Sequence, residues 1–116
     1  MILIIGGAYQ GKLSWAVSEY DLKDNEILDL AEEDPLPGFR CYTHFEDLTR
    51  RCEDISRWLP LFKDAVVISR ELGCGVVPMD AEERVWRERH GVLLKKIASG
   101  SDSVVRIFCG FPEVLK

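Results

Sequence analysis

The pattern of apolar and polar positions divides the chain into elements of two different periods. Ile2-Leu3-Ile4-Ile5 is a continuous apolar run closed by Gly6 and Gly7, the pattern of a strand buried on both faces of a parallel sheet. Beyond Gly11, the residues Leu13, Ala16, Val17 and Tyr20 fall at i, i+3, i+4 and i+7, which predicts a helix with one apolar face. A second short run, Glu26 to Leu30, contains Asp29 and gives way to the acidic, proline-bearing stretch 31–38. It predicts a second strand.

Thr43-His44-Phe45-Glu46 has the S/T-x-x-E form of a capping box and predicts a helix start at which Thr43 and Glu46 cap each other. Phe45, Leu48, Cys52, Ile55, Leu59 and Phe62 follow at spacings of three and four, so one stripe should face the core for roughly five turns. Pro60 should kink or end that helix near Trp58. Ala65–Ser69 predicts a third strand, Asp80 with Glu83 the start of a helix to about Ala98, and Gly100 its end. Ser103–Cys109 predicts a fourth strand, with Gly110-Phe111-Pro112 as a closing turn before a short tail. The order β-α-β-α-β-α-β points to a small, Rossmann-like, three-layer α/β domain with a mainly parallel sheet of four or five strands.

Composition narrows this picture. The 116 residues, 47% hydrophobic, suit one packed core, so 1–116 is read as a single domain. Fifteen basic against twenty acidic residues give a net charge of −5, which argues against a nucleic-acid or anionic-membrane surface. The opening apolar run is too short for a membrane span and has no basic stretch before it, so neither a signal peptide nor a transmembrane helix is expected. Cys41, Cys52, Cys74 and Cys109 show no C-x-x-C spacing, and two histidines cannot complete a zinc set around them. They read as reduced, mostly buried thiols of a cytoplasmic protein.

Candidate chemistry begins in the first turn. Gly6-Gly7-Ala8-Tyr9-Gln10-Gly11-Lys12 fits G-x-x-x-x-G-K, between a predicted strand and a predicted helix, which is the context a P-loop requires. Such a loop turns successive amides toward phosphate oxygens, and the helix start adds its positive dipole end. Gly6, Gly7, Ala8, Tyr9, Gln10, Gly11, Lys12 and Leu13 are therefore the candidate nucleotide-binding residues. A purine nucleoside triphosphate, GTP or ATP, is the expected ligand, with Lys12 reaching the β- and γ-phosphates. Mg2+ is expected with it, but Leu13 stands where a hydroxyl residue should hold the metal. Ser14 is rotated by about 100° from that position. Asp29 and Glu71, at the ends of the second and third strands, would share the loop's edge of the sheet. They join Lys12 as candidate catalytic residues, and Asp29 is the candidate metal ligand.

Two blocks resemble the adenosylcobinamide kinase / adenosylcobinamide-phosphate guanylyltransferase family of cobalamin biosynthesis. Ile2 to Ala16 resembles its opening strand and Gly-Gly-Ala-Arg-Ser-Gly-Lys-Ser loop. Val66 to Lys116 resembles its Ser-Asn-Glu-Val-Gly-x-Gly-Ile-Val-Pro segment at Ser69–Pro78, its Arg-Asp-x-x-Gly helix at Arg87–Gly91, and its closing Gly-x-Pro-x-x-Leu-Lys at Gly110–Lys116. The resemblance implies a P-loop fold, a phosphotransferase using GTP or ATP, a cobinamide-like small molecule as partner, and a homo-oligomer. Trp58 and Trp86 are the first places to look for the subunit contact.

The chain departs from that family where the chemistry lies. Arg70 replaces the family's Asn, Leu94-Lys95 its Asn-Gln, and Leu13 its loop hydroxyl; the middle is shorter, and residues 31–40 hold no histidine of the kind the family guanylylates. His44 is near, but nothing adjacent in sequence supplies an orienting acid, and His90 and Cys74 read as bland. Guanylyl transfer is therefore not expected. The sequence leaves two readings: a kinase acting on a small alcohol, or a nucleotide-binding sensing or assembly module without turnover.

Overall fold

The longest apolar runs pair at the centre of a six-stranded sheet, where both faces are covered. The computed structural model describes residues 1–72 and 80–116; Cys74 and the rest of 73–79 lie outside the described residues. Strand β1 (Ile2–Gly6) lies between β4 (Val66–Arg70) and β5 (Ser103–Phe108), parallel to both. β2 (Ile27–Asp29) and β3 (Cys41–Thr43) extend the parallel sheet on one side, and β6 (Phe111–Val114) closes the other side antiparallel to β5. The order is β2-β3-β4-β1-β5-β6.

The period of two along each strand sorts side chains between two layers of helix. Leu3, Tyr42, Val67 and Val104 face the same core as Phe45 and Leu48 of α2 (Phe45–Arg51), Phe62 of α3 (Leu59–Phe62) and Ile97 of α4 (Ala81–Gly100). Their neighbours Ile4, Cys41, Ile68 and Val105 face the opposite core with Ala16 of α1 (Lys12–Tyr20). The result is the expected three-layer α/β domain. From β1 the chain leaves through α1 for the β2 edge, and from β4 it crosses through α4 to β5 beyond β1. Such a reversal of strand order opens a crevice at the carboxyl ends of the strands, where ligands of open α/β sheets bind.

The structure differs from the sequence expectation in three places. β3 occupies Cys41–Thr43, so Thr43 is a buried strand residue and no capping box forms; the N-cap is His44, at φ 59. The long helix expected over 45–62 is broken. α2 ends at Arg51, Asp54 Oδ1 accepts from the Ser56 amide at 3.0 Å in a competing turn, and Pro60 sits in the first turn of the separate α3. The break shifts the apolar register by one residue: Trp58 is buried while Leu59 is exposed. Finally, residues 111–114 form β6 rather than a tail, on a two-residue turn whose Cys109 and Gly110 both have positive φ, as in a type I′ hairpin. Pro112 is tolerated because β6 is an edge strand.

Candidate functional site

Where β1 ends, the backbone approaches β5 too closely for a side chain. A Cβ on Gly6 would lie 2.6 Å from the Ile107 carbonyl oxygen. Gly11, at φ 84, is the N-cap of α1 and offers no side-chain cap, so the first amides of the helix are left for another acceptor. Gln10 braces the loop against the β5–β6 turn: its side-chain oxygen accepts from the Cys109 amide at 2.6 Å and its carbonyl from the Gly110 amide at 2.9 Å. Lys12 folds back, its Nζ donating to the Gly7 carbonyl at 2.7 Å. Its pKa is lowered, first by burial and then by the charge of Arg70, against the opposing effects of Glu46 and Glu71.

The loop forms one wall of a cavity of about 620 Å3. Ala8 to Ser14 line it on one side, Thr43, His44, Glu46 and Asp47 on the β3–α2 side, and Ile68 and Arg70 at the end of β4. The parallel register explains this convergence, since Gly6 pairs with Arg70 and Asp29 with Thr43. Four carboxyl-terminal strand ends therefore share one edge.

His44 is not the unsupported helix-start residue that the sequence suggests. Its Nδ1 lies 2.7 Å from Asp29 Oδ1, which also accepts from the Ala31 amide at 2.9 Å. A carboxylate can only accept, so in the neutral ring Nδ1 carries the proton and Nε2 keeps its lone pair. Asp29 itself stands outside the cavity lining. Glu46 was legible only as half of a capping box, yet it is buried, and its Oε1 accepts from the Arg70 amide at 3.0 Å. It ties α2 to the end of β4.

Other candidates go elsewhere. Glu71 pairs with Arg106 at 3.2 Å and lines a second cavity of about 400 Å3 beside α4, with Leu94 and Lys95. His90 is wholly buried, between Thr49 Oγ1 at 2.7 Å and Ser69 Oγ at 2.9 Å, and burial brings its pKa down to about 4. Trp58 is packed in the chain's own core, and the Trp86 indole donates to Thr49 Oγ1. Cys41 is buried, with its thiol pushed up to about 12 by desolvation, whereas Cys109 is exposed; both, like Cys52, are free thiols. No helix among the described residues is long and apolar enough to cross a membrane.

The magnesium ion that the resemblance implies would lack the loop's own hydroxyl ligand. Leu13 brings carbon to the cavity at the loop's hydroxyl position; the side-chain oxygens of Ser14, Thr43, Asp47 and Glu46 line it elsewhere, but one oxygen of Glu46 is taken by the Arg70 amide and the Arg70 cation lines the same space. Among the described residues no three His, Cys, Asp or Glu side chains gather to hold a metal. Arg70 and Glu46 were missed as site residues because their roles arise from strand ends meeting, although the change from Asn to Arg at 70 was a visible signal.

The model of the CobU family, cobinamide kinase / cobinamide phosphate guanyltransferase, matches residues 39–115, about two thirds of the chain. The span includes His44, Glu46 and Arg70, while the loop Gly6–Lys12 and Asp29 precede it. No curated protein matches the chain.

Proposed function

The chain belongs to the cobinamide kinase / cobinamide phosphate guanyltransferase family, and on that premise we propose that it binds GTP or ATP on Gly6–Leu13 and transfers the γ-phosphoryl group to a cobinamide-like alcohol. Membership carries a nucleotide-binding, cobinamide-related role in cobalamin biosynthesis. What supports the finer reading is one observation: Lys12 in its loop and an imidazole held by a carboxylate line the same cavity.

In this reading the loop amides and Lys12 hold the β- and γ-phosphates, with Lys12 exchanging the Gly7 carbonyl for phosphate oxygen. His44 Nε2 takes the proton of the acceptor hydroxyl as its oxygen attacks the γ-phosphorus. The new P–O bond forms as the bond to the β–γ bridging oxygen breaks, and the nucleoside diphosphate leaves with that electron pair. Asp29 steadies the imidazolium until the proton is released.

The Asp29 carboxylate also favours a second reading, in which His44 Nε2 itself attacks the α-phosphorus of GTP, expels pyrophosphate and carries GMP. Mass spectrometry after incubation with GTP separates the two, since only the second leaves a nucleotidyl group on His44. Calorimetry of GTP and ATP with wild type and Lys12→Ala, followed by transfer to cobinamide, tests the first. Nucleotide binding that is lost in Lys12→Ala, with a phosphorylated product, is the expected result. Binding without turnover would leave a sensing or assembly module. Homo-oligomerisation is part of the proposal, through the exposed Phe111 and Val114 of β6; sedimentation of Phe111→Glu as a smaller species would support it.

A further inference from the structure

We propose that Arg70 supplies, through its guanidinium, the phosphate-neutralising charge that a P-loop ordinarily draws from a hydroxyl-held magnesium ion, so that this chain binds nucleoside triphosphate without requiring the metal. The inference rests on the nucleotide-binding reading above and deepens it.

Residue 70 is fixed where a phosphate-binding cation is needed. It pairs with Gly6, the first residue of the loop, on the adjacent strand, which puts the two backbones about 4.8 Å apart. Its backbone is held from two sides: Glu46 Oε1 accepts from its amide at 3.0 Å, and its carbonyl accepts from the Ser69 hydroxyl at 3.1 Å. The next amide, of Glu71, donates to the Gly6 carbonyl at 2.9 Å. The strand end is therefore rigid while the exposed side chain lines the loop's cavity. None of the ion pairs found among the described residues engages the Arg70 guanidinium.

Arg70 stands close enough to Lys12 for its charge to act on it: burial lowers the Lys12 pKa most, the Glu46 carboxylate opposes this, and Arg70 then adds to the lowering. Glu46 and Asp47 line the α2 side of the cavity, but one oxygen of Glu46 is committed to the Arg70 amide. A triphosphate in this cavity meets both cations, and a guanidinium fork can hold two oxygens of one phosphate at once. Leu13 offers no oxygen to a competing metal. A replaced hydroxyl and an added arginine thus complement each other in one cavity.

The test is calorimetric titration of GTP and ATP, in magnesium and in EDTA, against wild type, Arg70→Asn, Arg70→Lys, Leu13→Ser and Lys12→Ala. Circular dichroism and the thermal midpoint of each variant monitor folding. Wild type should bind within roughly twofold of the same affinity in both media. Arg70→Asn should lose about ten- to hundredfold in EDTA, the range expected for a charge-assisted hydrogen bond, and Arg70→Lys, which keeps the charge without the fork, should fall between. Leu13→Ser, at an exposed position, should gain a magnesium response. Wild-type binding that needs magnesium, or Arg70→Asn that binds in EDTA as wild type does, would overturn the inference while leaving the loop reading intact. Failure of wild type to bind in either medium would remove both. If Arg70→Asn does not fold, the Arg70→Lys and Leu13→Ser arms decide the question.

Discussion

Helix α2 is flanked by two histidines in opposite surroundings. His44 precedes the helix, about half exposed, with Asp29 on Nδ1 and the cavity beside it. His90 reaches α2 from α4, with no exposure at all, its ring 5.8 Å from that of Phe45 and its nitrogens against the hydroxyls of Thr49 and Ser69. The first has a charged partner and room for a ligand. The second has neutral partners and none, so burial holds it uncharged and it serves as a strut linking α2, α4 and β4. Residue type said nothing of this division; the partners and the access did.

The largest effect should come from His44. Replacement by alanine should lower phosphoryl transfer by about 10²- to 10⁴-fold, while chemical denaturation shows a loss of no more than about 1–2 kcal/mol, from an alanine held at positive φ. A large stability loss with little change in rate would make His44 a second strut. His90 should behave in reverse, through pH. Above pH 6.5 it is neutral in both states; below that the unfolded ring takes up a proton that the folded ring refuses until about pH 4. The unfolded state then binds more protons, so stability falls as pH drops through this window, by up to about 3 kcal/mol. Denaturation from pH 4 to 7 should show this slope in wild type and less of it in His90→Gln. An equal slope in both would place the acid sensitivity elsewhere.

Asp29→Asn tests whether orientation matters as well as the ring. It should slow transfer by about ten- to hundredfold, judged from removal of comparable supporting partners, with little change in nucleotide affinity. The smallest effect is expected at Gln10, which touches neither histidine. Gln10→Ala removes the brace to Cys109 and should cost about 1 kcal/mol in denaturation. Nucleotide titration of the same variant shows how far the loop depends on that brace.

The legible parts of the fold were those with long or local signals. β1, β4 and β5 are apolar runs that a buried parallel sheet requires, and Asp80 caps α4 as its sequence suggests, its Oδ1 accepting from the Glu82 amide at 2.8 Å. β3 was missed because three residues hold no readable period, and Thr43 with Glu46 matched a capping box whose geometry never forms. The same carboxylate instead met an amide 24 residues away. β6 was obscured by Pro112, which excludes most strands but not an edge strand.

By itself the sequence determined the loop, Gly6 to Lys12, because its seven residues are contiguous and its form follows from local backbone rules and a strand-to-helix turn. Only the tertiary structure decided that Asp29 would hold His44 and that Glu46 and Arg70 would stand opposite Lys12. Those residues come from separate segments, and what joins them is the parallel pairing of strands whose carboxyl ends meet at a reversal of strand order.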